Sequence, residues 1–121
     1  MKFMAIIKSD AATEAGEFPD ASFFAEMDAF NKRMMDANVM LSGEGLHASS
    51  QGARIRLVQD DVAVTPGPFP NPTDLIAGFW ILQCDSLEEA VAWMKQCPHT
   101  PDVETNIEIR RVFTEEEFAN M

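Results

Sequence analysis

Residues 78–94 read Gly78-Phe79-Trp80-Ile81-Leu82-Gln83-Cys84-Asp85-Ser86-Leu87-Glu88-Glu89-Ala90-Val91-Ala92-Trp93-Met94, a β-prone apolar run followed at once by a helix start. Gly78 to Cys84 is the strongest strand signal in the chain. Ser86-Leu87-Glu88-Glu89 fits the S-x-x-E capping box, in which each side chain satisfies a backbone amide of the other. The helix it opens carries Leu87, Ala90, Val91 and Met94 on one face, runs to about Cys97 and stops at Pro98. Within the strand both alternating sets are apolar, Phe79 with Ile81 and Trp80 with Leu82, so both faces of its sheet demand cover.

The N-terminal half repeats this plan. Residues 2–8 are a strand with the same doubly apolar alternation, Phe3, Ala5 and Ile7 against Met4 and Ile6, and Ser9 to Pro19 reads as loop. Asp20 is placed to cap a helix running to about Ala37, with Phe23, Met27, Phe30 and Met34 along one side. Val39 to Glu44 is β-like, and Gly43 and Gly45 mark a bend where a backbone or a ligand can approach. Leu46 to Gly52 reads as loop. Arg54–Val58 and Val62–Thr65 flank Asp60-Asp61 as a hairpin, Pro66 to Pro72 cannot supply the amides of a central strand or helix, and Asn106–Phe113 is a last strand before a solvated acidic tail.

The order β-α-β-(hairpin)-β-α-β predicts an α+β fold, the ferredoxin-like split βαβ with an extra hairpin, over a single domain of residues 1–121. Two helices shield one sheet face, and a bare apolar second face of several hundred Å² is rare on soluble monomers. A homodimer joined through that face is the expected partnership.

With 46% hydrophobic and 24% charged residues the composition is that of a folded globular chain. Acidic residues outnumber basic ones 20 to 9, and a net charge of -11 opposes binding of nucleic acid. No apolar run is long enough for a membrane span, and the start of the chain turns polar at Lys8 and Ser9, too soon for a signal peptide, so a cytoplasmic location is expected. Cys84 and Cys97 read as buried reduced thiols rather than a disulfide framework. No metal set and no nucleotide or cofactor motif stands out, and the expectation is no cofactor and no metal.

His47 follows the Gly-flanked strand end, where an imidazole can carry a proton at neutral pH; a surface-loop histidine is the plain alternative. Glu44 can orient it or simply be solvated. Arg54 and Arg56 share one strand face and suit an oxyanion or carboxylate, or else pair with the abundant acids. Lys8 is a further cation of this kind. Phe69, Phe79 and Trp80 can line an apolar pocket, or be plain core.

Met1-Lys2-Phe3-Met4, Leu41-Ser42-Gly43-Glu44-Gly45-Leu46-His47, Ala53-Arg54-Ile55-Arg56, Gly67-Pro68-Phe69, Leu75-Ile76-Ala77-Gly78-Phe79-Trp80, Ser86-Leu87-Glu88-Glu89-Ala90, Cys97-Pro98 and Ile107-Glu108-Ile109-Arg110 occur in this order. On these motifs the chain resembles the YCII-related family, in its DGPF-domain branch. The resemblance implies a dimeric α/β-barrel subunit, a superfamily that includes small lyases, isomerases and cofactor-independent oxygenases. The chain departs from the branch at Pro66, where its motif has Asp, and at Pro70-Asn71-Pro72-Thr73, where charged residues usually stand. The His-Asp pair proposed for dehydrochlorinating relatives has no counterpart in the first helix, which contains no His. Together these readings point to a small cofactor-independent enzyme with lyase- or isomerase-like proton transfer on a compact, anionic or aromatic molecule. In it His47 is acid or base, Glu44 its complement, and Arg54 or Arg56 holds developing charge. The rival is a non-catalytic module that binds a small ligand or a protein.

Overall fold

A computed structural model describes residues 1–121. The elements are β1 (Lys2–Lys8), α1 (Ala11–Glu14), α2 (Ala21–Asp36), β2 (Met40–Gly45), β3 (Ala53–Val58), β4 (Asp61–Pro66), β5 (Ile76–Gln83), α3 (Leu87–Met94), β6 (Ile107–Arg111) and α4 (Glu115–Ala119), with 3-10 turns at Ser49–Gln51 and Pro72–Asp74. Four strands form one sheet in the order β2-β5-β1-β6, every neighbouring pair antiparallel. β1 and β2 therefore run parallel with β5 between them, which is the split βαβ arrangement. β3 and β4 form a separate two-stranded ribbon. No helix is long and apolar enough to cross a membrane.

Strand alternation divides the sheet cleanly. On one face, cross-strand rows run Met40-Leu82-Phe3-Arg111, then Gly43-Trp80-Ala5-Ile109, then Gly45-Gly78-Ile7-Ile107. Phe3, Ala5, Trp80 and Leu82 are buried here against Phe30 and Met34 of α2 and Ala90 and Met94 of α3. The other face carries the rows Ser42-Ile81-Met4-Arg110 and Glu44-Phe79-Ile6-Glu108. Its apolar members Met4, Ile6, Phe79 and Ile81 lie outside the core cluster, so the expectation of two apolar faces and one layer of helices holds.

Local readings met three corrections. Ser9 to Pro19, expected as loop, contains α1, because the Asp10 carboxylate accepts from the Thr13 amide at 2.7 Å. The box at Ser86 closes on one side only: Ser86 Oγ accepts from the Glu89 amide, but Glu89 Oε2 accepts from the amide of Asp85. The acidic tail is solvated as expected at Glu115 and Glu116, but it also folds as α4, a helix the sequence reading did not give, behind a complete box in which Thr114 Oγ1 accepts from Glu117 N and Glu117 Oε1 from Thr114 N. Phe113 and Phe118 stack at 4.9 Å across its first turn.

The ribbon is tied to the body at its base. Ser49 donates from its amide and its hydroxyl to the Glu14 carboxylate, Phe69 N donates to Ser49 Oγ at 2.9 Å, and Gly67 N donates to Gly52 O at 2.9 Å. Gly67 precedes a cis peptide to Pro68, and a Cβ there would overlap the Ser49 carbonyl oxygen, a main-chain atom with no room to give. The Gly67-Pro68-Phe69 motif is thus a structural clamp. Both cysteines are buried and free; burial pushes the Cys97 thiol up to about 11.

Gly67→Ala is expected to cost about 3 kcal/mol of stability in urea unfolding, since neither partner in the overlap can move without breaking the clamp. Arg111 holds Glu117 by two bonds of 2.9 and 2.6 Å and, with the Thr114 amide, lowers its carboxyl from 4.5 to about 2. A carboxyl lowered on folding stabilises fully above its unfolded value and loses that contribution as pH falls through the folded one. The protection of the α4 amides relative to their intrinsic exchange should therefore be greatest above pH 4.5 and fall as pH drops from 4.5 to about 2, and Thr114→Ala should cost the α4 segment about 1 kcal/mol at any pH.

Candidate functional site

Between α2 and the helix-covered face, the third cross-strand row fills no space on one side: Gly45 and Gly78 offer no side chains there. A cavity of about 370 Å³ opens over these glycines. The apolar face of α2 supplies Phe23 and Met27, β5 supplies Trp80, and the segment after α3 supplies His99 and Val103. Polar groups gather at its rim: Lys8 and Asp10 from the end of β1, Asn31 from α2, and Glu17 and Glu104 from loops; Glu44 of β2 also borders it, but its register puts its side chain on the other sheet face.

Trp80 anchors the inner wall. Its ring meets Phe30 edge-on at 6.2 Å and its Nε1–H donates to Asn31 Oδ1 at 2.9 Å, the partner a buried indole requires. Gly43 stands opposite Trp80 in the sheet, and a Cβ there would come within 2.9 Å of the indole Cδ1, so the glycine makes room for the ring. His99 Nδ1 lies 3.3 Å from the Cys97 carbonyl oxygen. A carbonyl only accepts, so this contact places the neutral ring's proton on Nδ1 and leaves a lone pair on Nε2. The rim is acidic: the carboxyl-bearing Asp10, Glu17 and Glu104 accompany one lysine, and of these Asp10 already caps α1 while Glu104 accepts from Asn106 Nδ2.

The eight residues singled out in the sequence fall into three places. Lys8, Glu44, Phe79 and Trp80 border this cavity. His47 lies beyond Leu46 in a more open depression of about 500 Å³, whose wall shares Thr13, Phe18, Gly45 and Leu46 with the cavity. Arg54, Arg56 and Phe69 line neither: the Arg54 guanidinium sits 4.0 Å above the Phe69 ring at the base of the ribbon. Within one chain His47 and the two arginines are not brought together. Sequence reasoning passed over Asp10, Asn31 and His99. Asn31 left a trace, because it stands four residues after Met27 on the apolar side of α2; His99, on an irregular segment after Pro98, left none.

A family model described as YCII-related domain matches residues 1–116. Among solved structures, the chain resembles 5-chloro-2-hydroxyhydroquinone dehydrochlorinase (TftG) from Burkholderia phenoliruptrix AC1100, in its complex with 2,5-dihydroxybenzoquinone. The TM-score is 0.52 and the identity 14%, over 96% of this chain and 97% of that one. At that identity the likeness is one of fold. No curated protein matches the sequence.

The glycines differ in a way that can be measured. A Cβ on Gly45 meets nothing within 4 Å, whereas one on Gly78 would lie 2.7 Å from the Glu44 carbonyl oxygen. Gly45→Ala should leave stability unchanged or raise it by about 0.4–1 kcal/mol; Gly78→Ala should lower it by about 1–3 kcal/mol. Equal effects in urea unfolding would mean that the space over Gly45 is closed in solution.

Proposed function

The chain belongs to the YCII-related family, and on that premise we propose that it is a small-molecule enzyme, independent of metal or cofactor, that moves a proton on a compact, oxygen-bearing aromatic or quinonoid substrate. The cavity over Gly45 and Gly78 is its active site. The observation that carries the reading is the make-up of this wall: aromatic side chains over an open glycine floor, with a free imidazole nitrogen and a single ammonium at the rim.

In this reading the substrate ring lies against Phe23, Met27 and Trp80. His99 Nε2 exchanges the proton, and Lys8 stands near oxygen that gains negative charge as it leaves. Three carboxyl-bearing residues against one lysine disfavour a multiply anionic substrate, whose charge they would repel. A neutral hydroxylated ring, whose O–H groups can donate to Glu17 or Glu104, fits better. The reading also takes the enzyme as a cytoplasmic homodimer of the dimeric-barrel kind, whose uncovered sheet face meets a second copy. His47, in the adjoining depression, is the rival base.

Chlorinated hydroquinones are the substrates to screen, with hydroquinone, which is uncharged at neutral pH, as a binding probe. Gly45→Leu should abolish binding of the probe while the protein stays folded. His99→Gln should lower kcat by about 10²–10⁴-fold and His47→Gln should leave it within a few-fold. Loss of turnover in His47→Gln alone would move the chemistry to the depression, and probe binding unaffected by Gly45→Leu would remove the cavity as the site. Tight binding without turnover of any member of the series would favour the ligand-binding module.

A further inference from the structure

The ribbon of β3 and β4 takes no part in the core. Every residue of Ala53–Val58 and Asp61–Pro66 is exposed. Its register pairs Ile55 with Val64 and Leu57 with Val62, so four aliphatic side chains share one face. They are 64%, 63%, 72% and 66% exposed in that order, the most solvated aliphatic stripe in the chain. The opposite face carries Arg54 and Arg56, with Arg54 packed on Phe69. One side of the ribbon is therefore finished and the other is not. A lone two-stranded hairpin is marginal in water, and a contiguous aliphatic stripe is a surface that monomers avoid.

We propose that the ribbon is an intersubunit arm, which lays its Ile55-Leu57-Val62-Val64 face on the open sheet face of a second copy of this chain, reciprocally about a two-fold axis. The inference rests on the homodimer reading above and adds to it the element that makes the contact.

Three features select a second copy as the occupant. First, the chain itself carries the complementary surface: Met4, Ile6, Phe79 and Ile81 form an apolar stripe that nothing in the core covers. Second, the area suffices. At about 100 Å² for a whole aliphatic side chain, four residues roughly two-thirds exposed offer about 270 Å² per arm; two arms and the surfaces beneath them bury about 1,100 Å², close to the lower limit for a specific dimer. Third, the charge is right. Within 53–66 the two arginines balance Asp60 and Asp61, so the arm is neutral while the chain as a whole carries -11. It is a segment that a second acidic copy does not repel.

Sedimentation of the whole protein at micromolar concentration tests the proposal. The unmodified chain should run as a dimer, and Leu57→Glu should weaken that dimer about 100-fold with an unchanged circular dichroism spectrum, since Leu57 touches no core residue. A dimer indifferent to Leu57→Glu overturns the arm and leaves the homodimer reading standing; a monomeric unmodified chain overturns both. Should the variant fail to fold, mixed Val62→Cys and Ile81→Cys proteins treated with a short bifunctional thiol reagent decide the matter, the two native thiols being buried. A covalent product that needs both variants supports the arm, and its absence overturns it.

Discussion

The candidate site depends on how Trp80 is held. An indole of that size buried in a central strand must find both a packing partner and an acceptor for its N–H. Phe30 and Asn31, successive residues of α2, supply the two. This knot sets how closely α2 approaches the sheet. One row further along, where Gly45 and Gly78 stand in place of bulky side chains, the same spacing leaves a hollow. The cavity follows from a helix held at a tryptophan's distance over strands that offer only hydrogen at the next position.

Charge narrows what such a hollow can accept. With three carboxyl-bearing residues and one lysine at the rim, an anionic ligand is repelled more than it is attracted, whereas a neutral ring with hydroxyl groups finds acceptors on several sides. The proposed substrate class thus comes from the balance of groups at the rim rather than from one residue. The surplus apolar surface has a parallel logic. A sheet with two greasy faces and one layer of helices cannot satisfy itself, and a ribbon that buries nothing in its own subunit has to be justified by what it covers elsewhere. The proposed arm joins these two deficits in a single contact.

Much of the fold was legible because it is written in short-range pattern. Asp20 caps α2 through the Phe23 amide, Phe30 and Met34 are buried as their spacing requires, and β1 and β5 alternate as their residues predict. The misses were local competitions between similar signals. Thr114-Glu115-Glu116-Glu117 has the same capping spacing as Ser86-Leu87-Glu88-Glu89, yet the tail forms the complete box and the second site only half of one, because Glu89 finds the Asp85 amide instead. The site was less legible. Lys8, Glu44 and Trp80 were recognisable at strand ends and glycine bends, but His99 reaches the cavity from an irregular segment whose course no periodicity encodes.

The sequence by itself determined the succession of strands and helices, the two apolar faces, the glycines of β2 and the hairpin, because each follows from side-chain period and backbone preference within a few residues. Only the tertiary structure decided that the arginines of the hairpin stand apart from His47, that Gly67-Pro68-Phe69 clamps the base of the ribbon, and that His99 lines the hollow over Gly45 and Gly78. These are outcomes of how separate segments of the chain meet. Their outcome depends on the packing distance between a helix and a sheet, a quantity that no local pattern contains.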